Sequence, residues 1–361
     1  MNVMSSLPLF MLLSQMPRSR PYTLASLRNE PGQPPEQLPG RLPGQSCGQP
    51  SGQPSGPSFG QPSGPSSGDL SGKVFCGFWF GWNPQVSLTS IPPEYNLICV
   101  AFVEPNAEGV LTFAPYMDED EFIAGMESLK AEGRAVLLSL GGAHEGIILR
   151  ESDKPLFKDE LMRLIERYGF NGIDIDLEGA SISAGDNQSV VPAVIREIKD
   201  FYRSQGKPFI VTMAPEFNLL RGYAAPYKPF LQDLEGYYDL IFPQYYNQGA
   251  DGIWSDEYHM FLSQNDNEHK AEFLYTLTNA IVTGTNDFLQ IHADKFVIGL
   301  PASPLSAING YVENPDDVRW ALDRLEAEGH GIRGLMTWSI NQDSVNGYEF
   351  VQRYAPMIFN A

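Results

Sequence analysis

The chain has 361 residues, 42% of them apolar and 12% aromatic, and a formal net charge of −20. That length and apolar content support a sizeable core in one large domain or two smaller ones. No run of about 18 apolar residues occurs, so no membrane span is expected, and the acidic balance would repel the phosphates of a nucleic acid. It suits a protein acting on a neutral polymer.

In chain order, residues 1–29 come first. Leu7–Leu13 is a short apolar run, but no Lys or Arg precedes it. It matches a Sec signal peptide poorly, so targeting by 1–29 needs a different start or another export route. Residues 30–72 are low in complexity: Gly-Gln-Pro-Ser-Gly recurs imperfectly from Cys47 to Gly68. Such a composition cannot bury a core and reads as a disordered, partly extended linker. Nothing foldable precedes it, so no separate binding module is expected.

From Lys73 the pattern becomes strands alternating with helices. Strands are predicted over Val74–Trp82, Leu97–Val103, Ala135–Leu140, an acidic stretch around Asp174, Phe209–Met213, Leu240–Tyr246, Phe296–Leu300 and Gly334–Ile340. Helices are predicted over Asp118–Glu132, Lys158–Tyr168, Val190–Ser204 and Asp316–Glu328. Eight strand–helix units over about 290 residues fit an α/β fold of the (β/α)8 barrel type. A doubly wound open sheet is the runner-up, but no Gly-rich phosphate loop follows the first strand. Cys47, Cys76 and Cys99 have no metal-like spacing. Cys76 and Cys99 fall in apolar strands and are expected as buried thiols, with a disulfide between them as the lesser alternative.

The most informative stretch is Gly172-Ile173-Asp174-Ile175-Asp176-Leu177-Glu178-Gly179. Apolar and acidic residues alternate at period two, a strand signal. Residues two apart share a face, roughly 6.5–7 Å apart along the strand, so three carboxylates line one side. Burying three acids is costly unless they share protons or hydrogen bonds. A solvated edge strand is the bland alternative, and the continuous apolar partner face argues against it. A calcium loop of the EF-hand kind would need Gly and polar spacers and a bidentate Glu at a set position.

Asn171-Gly-Ile-Asp174-Ile-Asp176-Leu-Glu178 resembles the DGxDxDxE signature of family 18 glycoside hydrolases, the chitinases, with Asn171 where Asp is usual. Ser139-Leu140-Gly141-Gly142, about 30 residues upstream, resembles the SxGG element of that family, and Ser139 is expected to hydrogen-bond Asp174. The resemblance covers roughly 73–355, which makes 73–361 the catalytic domain. It implies that Glu178 is the general acid and later the base. Asp176 would orient the substrate's acetamido group, and Asp174 would lie deeper and share a proton with Asp176. Tyr246 would hydrogen-bond the acetamido oxygen, and Trp338 would form the apolar floor beneath the cleaved sugar. Gln244, Met213, Asn247, Glu216 and Trp79 join them as sugar-pocket candidates. Asn247 stands where many relatives carry Asp, and Gln342 where they often carry Trp.

This family is an exception to the two-carboxylate rule, because the substrate's own N-acetyl oxygen attacks the anomeric carbon. No cofactor or metal is then needed. Three like charges this close titrate as a set, which helps to keep Glu178 protonated. The substrate expected is chitin or N-acetylglucosamine oligosaccharides, cut by a secreted monomer. Only about 30 residues, largely helix, separate Leu300 from the eighth strand, which leaves no room for an α+β insertion. A shallow open groove, endo-like cleavage and a preference for soluble chitin follow. The alternatives are an endo-β-N-acetylglucosaminidase on N-glycans and a non-catalytic chitin-binding lectin, against which Glu178 argues.

Overall fold

The computed structural model describes residues 22–23, 70, 72–105, 110–143 and 146–359. The targeting segment and the low-complexity linker, Cys47 included, fall almost wholly outside the described residues. Eight strands follow one another: β1 Val74–Phe80, β2 Leu97–Pro105, β3 Ala135–Gly142, β4 Gly172–Leu177, β5 Ile210–Met213, β6 Leu240–Ile241, β7 Val297–Pro301 and β8 Gly334–Trp338. The first, third and fourth are buried at every position. Continuous burial is what parallel strands covered on both sides require.

The strands pair in parallel in the order β7-β8-β1-β2-β3-β4-β5-β6. The ring is closed by bridges from Ile241 to Phe296 and from Gln244 to Gly299, so the sheet is a (β/α)8 barrel with no free edge. Strand pleating divides its side chains. Cys76, Phe78, Phe80, Cys99, Leu137, Ala214, Phe242 and Met336 fill the interior. Phe75, Trp79, Val100, Leu138, Ile175, Met213 and Leu335 pack outward into the larger core beneath the helices. The Cys76 and Cys99 sulfurs are 3.8 Å apart in the barrel interior, and both are free thiols.

Helices α1 Glu119–Ala131, α2 Lys154–Tyr168, α3 Asn187–Ser204 and α6 Pro315–Ala327 match the four predicted. In α3, Val190, Val191, Val194, Ile195 and Ile198 form the buried stripe, the spacing of an amphipathic helix. Asp118 caps α1 by accepting from the N–H groups of Asp120 and Glu121, and Asn314 caps α6 from Asp316. Among the described residues the remaining α-helices are α4 Lys228–Asp233, α5 Lys270–Thr283, α7 Ile340–Val345 and α8 Glu349–Phe359.

Three differences from the sequence reading matter. The sixth strand pairs regularly only over Leu240–Ile241 rather than to Tyr246, because Pro243 has no N–H to donate. The eighth ends at Trp338, since Ser339 caps α7 through the N–H of Gln342. Between β6 and β7 lie an antiparallel hairpin, Gly252–Ser255 with Met260–Ser263, and helix α5. Helix α5 buries residues on most of its circumference, so its sequence lacks the narrow apolar stripe that betrays a helix.

Candidate active site

The acid row lies along β4 with its side chains turned into the barrel. Asp174 is fully buried and accepts from Ser139 Oγ at 2.7 Å and Thr212 Oγ1 at 2.6 Å. These donors stand directly beside it in register, Ser139 on β3 and Thr212 on β5. One step up, Asp176 is 2% exposed and accepts from Gln244 Nε2 at 3.0 Å. The same amide nitrogen lies 3.1 Å from Glu178 Oε1 and 3.1 Å from the Ala214 carbonyl. Glu178 is half-buried at the open end. One neutral side chain thus holds two neighbouring carboxyl groups.

Gly141 and Gly142 make room for this row. Gly141 pairs with Asp176 across the strands at φ +115, and a Cβ there would come within 2.5 Å of the Asp176 carbonyl oxygen. A Cβ on Gly142, at φ +86, would meet the Phe102 ring at 2.7 Å. Only glycine takes both conformations without strain.

Burial governs the electrostatics. It pushes Asp174 up from 3.8 to about 6 against the two hydroxyl donors, and Glu178 up from 4.5 to about 7 against the Gln244 amide, with the Glu216 charge adding to the rise. Asp176 is raised well above its ordinary range, first by burial and then by the charges of Glu178 and Asp174. Near neutral pH the row therefore retains protons, and the outermost carboxyl sits close to half-protonation. Burial and the same acids raise the Tyr246 phenol, which stays neutral and able to donate.

The mouth of the barrel is aromatic. Trp338 stacks near-parallel to Phe102 at 5.8 Å and meets Phe78 edge-on at 5.7 Å. Phe80 stacks on Trp82 at 4.3 Å, and Trp82 meets the exposed Tyr116 edge-on at 6.0 Å. Asn341, fully buried, exchanges hydrogen bonds with the Phe80 backbone and reaches Pro84.

Asp174, Asp176, Glu178, Gln244 and Tyr246 therefore meet around one point, with Glu216 beside them. Asn247 is exposed at the rim. Its Oδ1 accepts from Ile308 N at 2.8 Å, which ties the loop after β7 to the end of β6. Two candidates are corrected. Trp79 is 1% exposed, donates from Nε1 to the Val86 carbonyl and packs on Phe122 of α1. Met213 is fully buried in the outer core. In both strands the pleat sends the neighbours inward instead, Phe78 and Phe80 in the first case, Thr212 and Ala214 in the second. Tyr245 likewise points outward, against Phe217 and Phe273. The residues the sequence reading missed are Thr212, Phe102, Trp82, Tyr116, Asn341 and the buried Tyr227, whose hydroxyl donates to the Leu177 carbonyl. Strand parity counted from Ala214 would have found Thr212. Among the described residues no group of three or more His, Cys, Asp or Glu is placed to hold a metal ion.

A family model for glycosyl hydrolases of family 18 matches residues 74–310. A chitinase of Enterococcus faecalis is 43% identical over 307 residues, covering 79% of this chain and 88% of the relative. Chitinase Chi52 of Paenibacillus xylanexedens is 32% identical over 324 residues. That match covers 79% of this chain, which spans only 61% of that longer protein. Among solved structures, a family 18 chitinase from Chromobacterium violaceum has a TM-score of 0.66 at 26% identity, covering 79% of this chain and 83% of the other.

Proposed function

Because the chain belongs to family 18 of the glycoside hydrolases, we propose that this glycoside hydrolase is a chitinase, cutting β-1,4 bonds between N-acetylglucosamine units with retention and by participation of the substrate's acetamido group. The observation that carries the reading is the division of labour along β4. Asp174 is held on both carboxyl oxygens by hydroxyl donors and fixed. Asp176 and Glu178 share one neutral amide and keep lone pairs for the substrate.

Glu178, with its carboxyl raised to about 7, gives its proton to the glycosidic oxygen as the bond to C1 breaks. The acetamido carbonyl oxygen closes on C1 from the other face. Asp176 accepts the acetamido N–H and stabilises the positive charge that develops on the ring so formed. Tyr246 donates to the acetamido oxygen and aims it. Glu178, now a carboxylate, takes a proton from water, which opens the ring at C1 and restores the configuration. Trp338 offers an apolar plane to the pyranose, and Phe102, Trp82 and Tyr116 continue that surface for further sugars. Between Pro301 and Gly334 the one regular element is helix α6, which supports an open groove and endo-type cutting. A polymer substrate too large to enter a cell implies action outside it.

The test is NMR of the nascent reducing end together with sequencing of products from partly acetylated chitosan. A β-anomer first, and N-acetylglucosamine at every new reducing end, are expected. A nascent α-anomer, or glucosamine at new reducing ends, would reject the mechanism.

A further inference from the structure

We propose that Glu216 is a positioning residue, whose carboxylate locks the backbone just after the proton donor Glu178 to the backbone of Tyr246. This rests on the reading of Glu178 and Tyr246 above. Glu216 lies two residues beyond Ala214, on the same inward side of the β5 end. Its Oε2 accepts the Gly179 N–H at 3.0 Å, and its Oε1 accepts Gln248 Nε2 at 3.2 Å. That amide nitrogen is also 3.1 Å from the Tyr246 carbonyl. Gln248 is held in turn: its own N–H donates to Oε1 of the fully buried Gln264, whose Nε2 donates to Asn309.

The tie matters because of what it tethers. Gly179 sits at φ +54 directly after Glu178, and a glycine there leaves the acid's backbone free to swing unless something outside holds it. Ser181 binds the Glu178 carbonyl through its N–H and hydroxyl, and Tyr227 binds the Leu177 carbonyl. Glu216 supplies the anchor for the next N–H. Proton transfer demands a donor placed to within fractions of an ångström, and the same carboxylate, through Gln248, reaches the segment after β6 that carries Tyr246. The anchor is also charged. The groups facing Glu178 are Asp176 and Asp174 from β4, Gln244 and Tyr246 from the β6 end, Tyr227 from the loop before α4, and Glu216, whose negative charge favours the protonated form of Glu178.

The experiment measures kcat and KM against pH for the full chain on a soluble N-acetylglucosamine oligosaccharide, with Glu216→Gln and Gln248→Leu. In Glu216→Gln the charge is lost and an amide oxygen can still accept from Gly179. The alkaline limb of kcat should move to lower pH by roughly half a unit to one unit, with KM nearly unchanged. Gln248→Leu keeps the charge but cuts the link to Tyr246, so kcat should fall on the order of 10-fold with the limb in place. A several-fold rise in KM at unchanged kcat would make Glu216 a substrate contact and overturn the proposal, as would a limb that does not move. Amide hydrogen exchange of Gly179 in Glu216→Ala gives a readout independent of turnover. Faster exchange than in the parent is expected, and equal protection overturns the tie. A parent enzyme inert on the oligosaccharide but protected at Gly179 would instead reject the catalytic reading.

Discussion

Glu178→Gln separates what the acid does for catalysis from what it costs the fold. The substitution is nearly isosteric, and the new amide oxygen can still accept from Gln244, so the fold should persist. In the folded enzyme burial raises the carboxyl from 4.5 to about 7. Between those values the folded chain holds a proton that the unfolded chain has released, so stability falls as pH rises through that window and is flat on either side. At 1.36 kcal/mol per unit the rise is worth about 3 kcal/mol. The variant lacks this titration. Its stability relative to the parent should grow by about 3 kcal/mol between pH 4 and pH 8, while turnover drops on the order of 10²–10⁴-fold or more. Urea unfolding of both proteins at pH 4, 6 and 8 measures the first quantity. A stability difference that is the same at all three pH values would refute the assignment of a strained, proton-holding Glu178, and near-parental turnover would remove it as the acid.

Other substitutions probe the surroundings. Gly141→Ala forces a Cβ against the Asp176 carbonyl and a left-handed backbone on alanine. It should cost about 1–3 kcal/mol in thermal unfolding and depress kcat as β4 shifts; an unchanged Tm and kcat would contradict the packing described. Trp338→Ala, made in the Glu178→Gln background, should weaken oligosaccharide binding by about 10-fold in calorimetry, the value of an aromatic platform of about 1.5 kcal/mol. Unchanged affinity would mean that Trp338 only fills the barrel mouth. Met213→Leu conserves volume in the outer core, so it should cost less than about 1.5 kcal/mol and leave oligosaccharide affinity alone; a several-fold loss of affinity would restore Met213 to the sugar pocket.

The legible parts of the molecule are those written in one continuous stretch. The acid row announces itself because a strand converts alternation into a face, and the Ser139–Asp174 contact follows from strands three and four being neighbours. Strand parity is what a linear sequence leaves open. Trp79 and Met213 sit at strand ends beside the cleft, and a residue's place along a strand does not say which side it faces. Only the interior neighbours Phe80 and Ala214 settle the parity. Trp82, Phe102 and Tyr116 were passed over for another reason. They come from three separate loops and strand ends, and nothing local in each predicts that their rings form a chain from Trp338 through Phe102 and Trp82 to Tyr116. Helix α5 escaped because it is buried nearly all round, and the hairpin before it because two four-residue strands leave little periodicity to see.

The barrel handles three adjacent acids by grading their surroundings along a single strand. At the bottom the interior is apolar, with Val74, Ala135 and Val297. Asp174 comes next, and its cost is offset by two hydroxyls that cannot leave, because their strands pair with β4 on either side. Asp176 has one amide, and Glu178 shares it near the opening. Asp174 accepts two protein hydrogen bonds, Asp176 and Glu178 one each from the same amide, and access grows outward. A carboxyl gripped on both oxygens is held still, and one with an oxygen to spare can bind, orient or exchange a proton. The alternating sequence places the acids on one face. It is the neighbouring strands, through Ser139, Thr212 and Gln244, that make the three chemically different.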